Sequence, residues 1–365
     1  MVLYFYKLEN DTFTKIAVID NATSVIWVKR FNAVGEFEIY IKASEKLLEL
    51  LDGDIFVIRD DSNVGMYVEK VQLNTDEENG DYITISGHSA ETLLSWRVID
   101  REIFSSETTT AEYIIRALIR KQWIIYSPII NNPNGVEWIQ LGTDHEWDDK
   151  VTRQFTGKNL LDIVQELCVT YSYGIEFEWN GAGFTVNLYK GVDRSYDQTD
   201  NSFVVFSPEF ENLGNTEFIN DTSNYANCCI VGGEGEGTER VFVPIVPDDT
   251  ENLIGFYRRY IYIDARNSSS DGLTTSEYRK MLKADGVEAL EQQRVVTSFS
   301  GDILNYNNYT YGVDYNLGDK VSIINEYGIR GNATITEITE VEDENGYRLI
   351  PTLSEWAVIE YEEDE

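Results

Sequence analysis

Histidine, cysteine, proline and positive charge are all scarce in this chain. Among 365 residues there are two His, three Cys, three Met and six Pro, and only 29 Lys and Arg. With only His88 and His145, there is no HExxH zinc motif and no Ser/His/Asp set visible in the sequence. Cys168, Cys228 and Cys229, two of them adjacent, offer no CxxC spacing for a metal or a redox couple, so buried, reduced thiols are expected. No stretch approaches the ~18 apolar residues of a membrane span. The start, MVLYFYKLENDTF, lacks the basic residues and apolar run of a signal peptide, so synthesis and folding in a cytoplasm are expected. Asn-x-Ser/Thr triplets such as Asn21-Ala22-Thr23 then read as chance. Against 29 basic residues stand 64 acidic ones, a net charge of −35. Such a field repels nucleic acid and anionic membrane, and favours solubility and cationic partners.

Aromatic residues are plentiful: 23 Tyr and 16 Phe, which suit pleated, half-buried surfaces. Residues 1–100 hold short β-branched and aromatic runs (VLYFYKL, KIAVI, SVIWVKRF, EFEIYIK, DIFVIRD, MYVEKVQL, YITISG) separated by turn clusters, with one short helix, ASEKLLELL. Many short strands at this spacing predict a small barrel or sandwich. Residues 101–190 read as α+β. Thr109 and Glu112 have capping-box spacing, and Ala111, Ile114, Ile115, Leu118 and Ile119 mark one helical face. A second helix is expected from about Lys158 to Tyr171, then two strands joined by Asn180-Gly181-Ala182-Gly183, a hairpin signal. Strands return over 191–247 and 301–359, including YTYGVDY. Between them, 248–300 carries YRRYIYIDAR and a long helix to about Val296, opened by a capping box at Thr274 and Glu277. Residues 360–365 form an acidic tail. The fold class expected is mainly β with α+β parts: two similar small β-barrels, an α+β domain and a small inserted domain.

The glycine-rich stretch IVGGEGEG at 230–237 tests for a phosphate loop. No Gly-Lys-Ser/Thr follows, the spacing is not GxGxxG, and Glu234 and Glu236 would repel phosphate. Arg240-Val-Phe-Val-Pro after it reads as a strand. Gly232 and Gly233 are therefore assigned to a strand connection or an intersubunit contact arm. His88, in SGHSAETLL, is expected to begin a helix. Asp144, Glu146, Asp148 and Asp149 around His145 match no EF-hand spacing. The tryptophans are dispersed and read as core residues. Arg258, Arg259 and Arg266 are the densest cations and are expected to pair with carboxylates, within the chain or across a subunit contact. No catalytic, cofactor or metal residue is assigned.

Two stretches resemble each other. Leu51–Gly80 and Leu317–Gly346 each carry a Gly-Asp pair (Gly53-Asp54, Gly318-Asp319), a strand (Phe56 and Ile58; Val321 and Ile323), a second strand and a Glu-Asn-Gly turn. They read as one β-module used twice.

The ordered series Phe31-x-x-x-Gly35-Glu36-Phe37-Glu38, Gly53-Asp54, Ser86-Gly87, Gly157-Lys158-Asn159-Leu160-Leu161 and Gly191-x-Asp193-Arg194-Ser195 resembles the siphophage tail-hub proteins. The likeness continues through Val205-Phe206-Ser207, Val231-Gly232-Gly233, Asp264-Ala265-Arg266 and Tyr311-Gly312-Val313-Asp314-Tyr315-x-Leu317-Gly318-Asp319. This family, also called tail-associated or baseplate hub proteins, shares its fold with the hub of contractile-tailed phages. The resemblance implies a homotrimer at the virion tail tip, assembled in the bacterial host cytoplasm, with no enzymatic activity and no cofactor. Its implied partners are the distal tail protein, the tail tube protein, the tape-measure protein, tip, fibre or lysin proteins, and DNA passing without specific binding. It also implies hub domains at 1–100 and at 191–247 with 301–359, an α+β domain at 101–190 and an insertion at 248–300. A module used twice in each of three chains gives six similar units around one axis, able to dock on a hexameric tube. Many relatives carry a long C-terminal hydrolase or fibre extension, whereas this sequence stops at Glu365. The alternative functions are a cell-wall glycan hydrolase and a carbohydrate-binding host-attachment protein.

Overall fold

The computed structural model describes residues 1–76, 80–104, 109–124, 135–246, 255–302, 309–324, 326–327 and 330–358. The acidic tail at 360–365 and the first Glu-Asn-Gly turn, at 78–80, lie outside them in whole or in part.

The first β-unit contains β1 (Leu3–Glu9), β2 (Thr12–Ile19), β3 (Ser24–Arg30), β4 (Glu36–Lys42), a short helix α1 (Glu45–Leu50), β5 (Ile55–Arg59), β6 (Ser62–Asn74) and β7 (Tyr82–Ser89). The strands pair in the order β2–β1–β5–β6–β7–β4–β3, all antiparallel. Period-two patterning drives this: in β4, Phe37, Ile39 and Ile41 are buried while Glu36, Glu38 and Lys42 are exposed. All seven strands contribute to one core around Phe5, Trp27, Ile39 and Met66, so the sheet curls around it. Among the described residues no pairing joins β2 to β3, so these pairings do not close the barrel expected from the strand spacing. His88 lies in β7, where it meets Glu69 at 2.7 Å; the helix expected there is a 3-10 turn beginning two residues later, Ala90–Trp96.

The α+β part contains β8 (Val98–Phe104), α2 (Ala111–Trp123), β9 (Ile139–Leu141), β10 (Arg153–Asn159), α3 (Leu160–Tyr171), β11 (Gly174–Trp179) and β12 (Phe184–Tyr189). Strands β11 and β12 form the expected hairpin, with Gly181 at φ +94°. The α2 cap is Thr110, whose side chain accepts from the Tyr113 amide, and not Thr109. Glu112 makes no capping box. It is buried and its carboxylate instead accepts from the amides of His145 and Trp147, which fastens the acidic loop to the helix.

The later strands are β13 (Val205–Phe206), β14 (Gly214–Asp221), β15 (Cys228–Gly232), β16 (Phe242–Ile245), β17 (Tyr260–Asp264), then helix α4 (Thr275–Glu291), β18 (Val296–Asp302), β19 (Lys320–Ile324), β20 (Arg330–Asp343) and β21 (Gly346–Val358). The capping box forms at Thr274 and Glu277, but α4 stops at Glu291 and Val296 opens β18. Strands β15 and β16, read from sequence with the later strands, instead form a separate sheet with β17. Its core joins Cys229, Val231 and Ile245 to Tyr278, Met281 and Leu282 of α4. The YTYGVDY run is a turn, not a strand: Gly312 has φ +82° and the amides of Val313 and Asp314 both donate to the Thr310 carbonyl.

The remaining later strands pair β19–β20–β21–β18–β14, all antiparallel, with β13 lying parallel on β19. This order matches β5–β6–β7–β4–β3. Each meander carries a bulge at the corresponding place on its long strand, between Val68 and Lys70 in β6 and between Ile335 and Glu337 in β20. The long strand β20 then pairs along its other edge with β3, from Glu337 opposite Arg30 to Glu342 opposite Val25, so one sheet runs continuously through both units.

Candidate functional site

The seam between the two β-units carries a dense set of polar contacts. Its backbone part is the β3–β20 ladder. Its side-chain part gathers on Glu340, nearly buried in β20, which receives Arg59 Nη2 at 2.8 Å, Lys29 Nζ at 3.0 Å and the Tyr347 hydroxyl at 2.8 Å. Arg59 also binds Asp61 bidentately, at 2.7 and 2.8 Å, and lies over the ring of buried Trp27. Burial raises the pKa of Glu340, but Lys29 and Arg59 outweigh it and hold the carboxyl below its ordinary range. Arg30 bridges the same seam to Glu337 at 2.6 Å and on its own side binds Glu36 at 2.9 Å. The α-amino group of Met1 reaches Glu342.

The two Gly-Asp pairs have diverged. Gly53 and Gly318 both have positive φ, +100° and +90°, as the turn before each strand requires. Asp54 stays exposed and accepts only from the Tyr67 hydroxyl among the described side-chain bonds, at 2.9 Å. Asp319 is buried and accepts from the Val192 amide at 2.7 Å, Arg194 Nε at 2.8 Å and the Asn316 amide at 2.9 Å. It therefore ties the segment leaving β12 to the start of β19. In the sequence Asp319 stands out from the repeat and Arg194 from the Gly191-x-Asp193-Arg194-Ser195 series; what the sequence does not show is their contact.

The glycine-rich stretch is the connection from β15 to β16. Arg240 donates to the carbonyls of Gly232 and Gly233, and a side chain at either glycine would collide with Tyr262, or with Leu282 and Tyr278. These glycines serve close packing. Arg266 pairs with Asp264, which also receives Arg240 Nη2 at 2.5 Å. Among the described residues the Arg259 guanidinium meets no carboxylate within the chain: it donates to the Thr222 carbonyl and lies over Tyr225. The amide of Arg258 bonds to the Gly255 carbonyl. These arginines are spread over the small three-stranded sheet, apart from the two Gly-Asp turns. All three cysteines are buried free thiols.

Two of the four carboxylates around His145, Asp144 and Asp149, face cations. Asp149 binds Lys190 at 2.9 Å and Tyr173 at 2.6 Å, and Asp144 lies 3.4 Å from Arg116. Arg153 of β10 engages Asp285 at 2.9 Å and Glu288 of α4, clamping the small sheet-and-helix unit to the α+β part. Sequence reading passed over Arg153 and the β10 strand, because RQFTGKN has weak apolar alternation.

Strand geometry, a repeated meander and pairs that join distant segments make this a scaffold of interlocked sheets. The profile of the siphovirus ReqiPepy6 Gp37-like proteins matches residues 5–353. The chain belongs to that family. Its fold is shared with solved tail proteins at low identity. A tail protein from Neisseria meningitidis MC58 matches with TM-score 0.56 and 11% identity, covering 97% of this chain and 96% of the other. Prophage tail protein gp18 from Listeria monocytogenes EGD-e gives 0.53 and 14%, covering 97% and 94%. The 43 kDa tail protein of prophage MuSo2 from Shewanella oneidensis gives 0.53 and 12%, covering 97% and 98%. A search of curated protein sequences found no match. The tail-protein fold expected from the sequence resemblance is the one these comparisons return.

Proposed function

We propose that this Gp37-like chain is a structural hub of a phage tail tip, acting as a homotrimer that joins the hexameric tail tube and distal tail protein to the tip and forms part of the DNA exit channel. The observation that carries the reading is the pairing of β3 with β20. It sets two five-strand units of the same order side by side in one sheet, and three such chains supply six units to match a sixfold tube. Residues 1–100 and the later strands serve as the two tube-docking units. The α+β part and the small unit built on α4 brace them from outside.

The function is geometric and needs no bond chemistry. The buried ionisable groups support this: Glu340, Asp319 and Glu112 are each spent on cations or backbone amides that hold segments together. The net charge of −35 supports a channel that lets DNA pass without holding it. The tape-measure protein and tip, fibre or lysin proteins are the further partners of this reading, and the tail tip of the virion is its location, with assembly in the host cytoplasm. Light scattering of the purified chain tests it. A mass about three times 41.8 kDa is expected, and a monomer at every concentration overturns it.

A further inference from the structure

The β3–β20 ladder shows how two such β-units join edge to edge, and among the described residues one further pair of edges of the same kind is open. In β20, the strand β19 occupies one edge only as far as Lys320 opposite Thr334; from Glu337 onward β3 takes that edge. In β6, the strand β5 likewise occupies one edge only as far as Phe56 opposite Tyr67. Beyond it, Lys70–Asn74 pairs with β7 alone, and no described strand lies along the other edge. All five residues are exposed, with Val71 at 36% and Leu73 at 46%. At the far end of the sheet, β14 occupies the position of β3 in its own unit and pairs only with β18 among the described residues. Phe218 and Ile219 on β14 are 40% and 44% exposed.

We propose that β14 of one copy pairs antiparallel with Lys70–Asn74 of β6 in the next copy, in the register that β3 and β20 set within the chain. This rests on the trimeric reading above and identifies the contact that builds it. The register follows by transfer. The residues just past the bulge, Lys70 and Glu337, correspond, because they face Ser86 and Thr352, which in turn face Glu38 and Ser300. Glu38 and Ser300 then face Ile26 and Glu217, so β3 maps onto β14 with Trp27 on Phe218 and Arg30 on Asp221. Transferring Glu337 opposite Arg30 and Glu340 opposite Trp27 places Lys70 opposite Asp221 and Leu73 opposite Phe218 of the neighbouring copy.

The chemistry fits this register. Glu337 and Arg30 form an ion pair within the chain; the transferred pair, Lys70 and Asp221, has the same complementarity with its signs exchanged. Leu73 would face Phe218, two large apolar side chains directly across the ladder. An exposed strand edge with apolar residues is a template for another chain, and backbone hydrogen bonds supply its affinity. The contact is head to tail, the β14 end of one copy's sheet on the open stretch of the β6 edge in the next, and such contacts close into rings when the rotation closes.

The test uses the full chain with Leu73→Cys and Phe218→Cys, oxidised by diamide. Directly opposed positions in an antiparallel pair lie within disulfide reach, at about 4.5–5.5 Å between Cα atoms. The expected result is chains linked into dimers and trimers on non-reducing denaturing gels, reversed by reductant. The out-of-register pair Lys70→Cys with Phe218→Cys should give none, and linking by both pairs alike overturns the register. A trimer by light scattering that the Leu73/Phe218 pair fails to link overturns the strand pairing and leaves the trimer standing; a monomer removes both. Should the cysteine variants misfold, charge exchange replaces them. Lys70→Glu and Asp221→Lys alone should each weaken trimer assembly about tenfold, and together recover most of that loss; additive losses overturn the pairing.

Discussion

Arg59 and Glu340 stand 281 residues apart in sequence and 2.8 Å apart in space, where the two β-units meet. Both are nearly buried, 2% and 5% exposed at the side chain, so neither has water as an alternative partner. Lys29 and Tyr347 share the same carboxylate. The cluster therefore holds β5, β3, β20 and β21 in one arrangement, which the β3–β20 ladder by itself would leave free to twist.

Removing one member should cost more than removing the pair. Glu340→Ala leaves Arg59 and Lys29 buried beside no carboxylate except that of Asp61, and a loss of about 3–5 kcal/mol is expected in urea unfolding. Replacing Arg59 and Glu340 together by Met and Leu should recover part of that loss, since no stranded charge remains. The Glu340 pKa lies below its ordinary value in the folded chain. Its stabilising contribution is therefore complete above the unfolded pKa of about 4.3 and is lost as pH falls through the depressed value. In the Glu340→Gln variant, the slope of stability against pH below that point should be shallower than in the parent.

Glu176 has the opposite sign. Burial, with the Glu91 carboxyl nearby, pushes its pKa up to about 7. A group raised in the folded state stabilises the fold fully below its unfolded pKa, and that benefit disappears as pH rises toward the folded value. Stability should thus fall between about pH 4.5 and 7, by on the order of 1–3 kcal/mol from this residue. Glu176→Gln should flatten that window and raise the thermal midpoint at pH 7.5, as read by calorimetry.

Much of this architecture was legible in the sequence, and the failures have physical causes. Strict alternation in EFEIYIK and the capping box at Thr274 and Glu277 mark elements that local chemistry decides. The repeat was legible because its Gly-Asp turn needs positive φ at both glycines. Thr109 and Thr110 offer the same hydroxyl, so the sequence does not decide which caps α2; the choice depends on Glu112, which is drawn to the 145–147 loop. YTYGVDY has strand composition but a glycine at φ +82°, and it turns. The separation of β15 and β16 from the other later strands depends on β17 pairing in parallel with β15, a long-range choice without a local signal. The same holds for the seam: nothing near Arg59 announces Glu340.

The divergence of the two Gly-Asp pairs predicts unequal costs for the same substitution. Asp319 is buried under three donors, one of them the charged Arg194. Asp319→Asn keeps the shape but removes the charge and turns one acceptor into a donor facing donors. A cost of about 2–4 kcal/mol is expected in urea. Asp54→Asn, exposed and bonded to one tyrosine hydroxyl, should change stability by about 0.5 kcal/mol or less. Equal costs at both positions would contradict the role given to Asp319.

Two glycines separate backbone strain from collision. Gly346 closes the β20–β21 hairpin at φ +101° with nothing near the position of a Cβ, so Gly346→Ala meets only the backbone penalty, about 1 kcal/mol. Gly318 has a similar φ, +90°, but a Cβ there would lie 2.4 Å from the ring of Phe31. That ring is buried with Phe206, Val321 and Ile335 in the core of the later strands and packs edge-on against Tyr189, so it has little room to withdraw. Gly318→Ala should therefore cost the same backbone term plus an overpacking term of about 1–3 kcal/mol. Phe31→Leu in the Gly318→Ala background should return part of the second term and none of the first. Urea midpoints of the parent, the two single glycine variants, Phe31→Leu and the double variant measure both terms, and a double variant no more stable than Gly318→Ala would place the whole cost in the backbone.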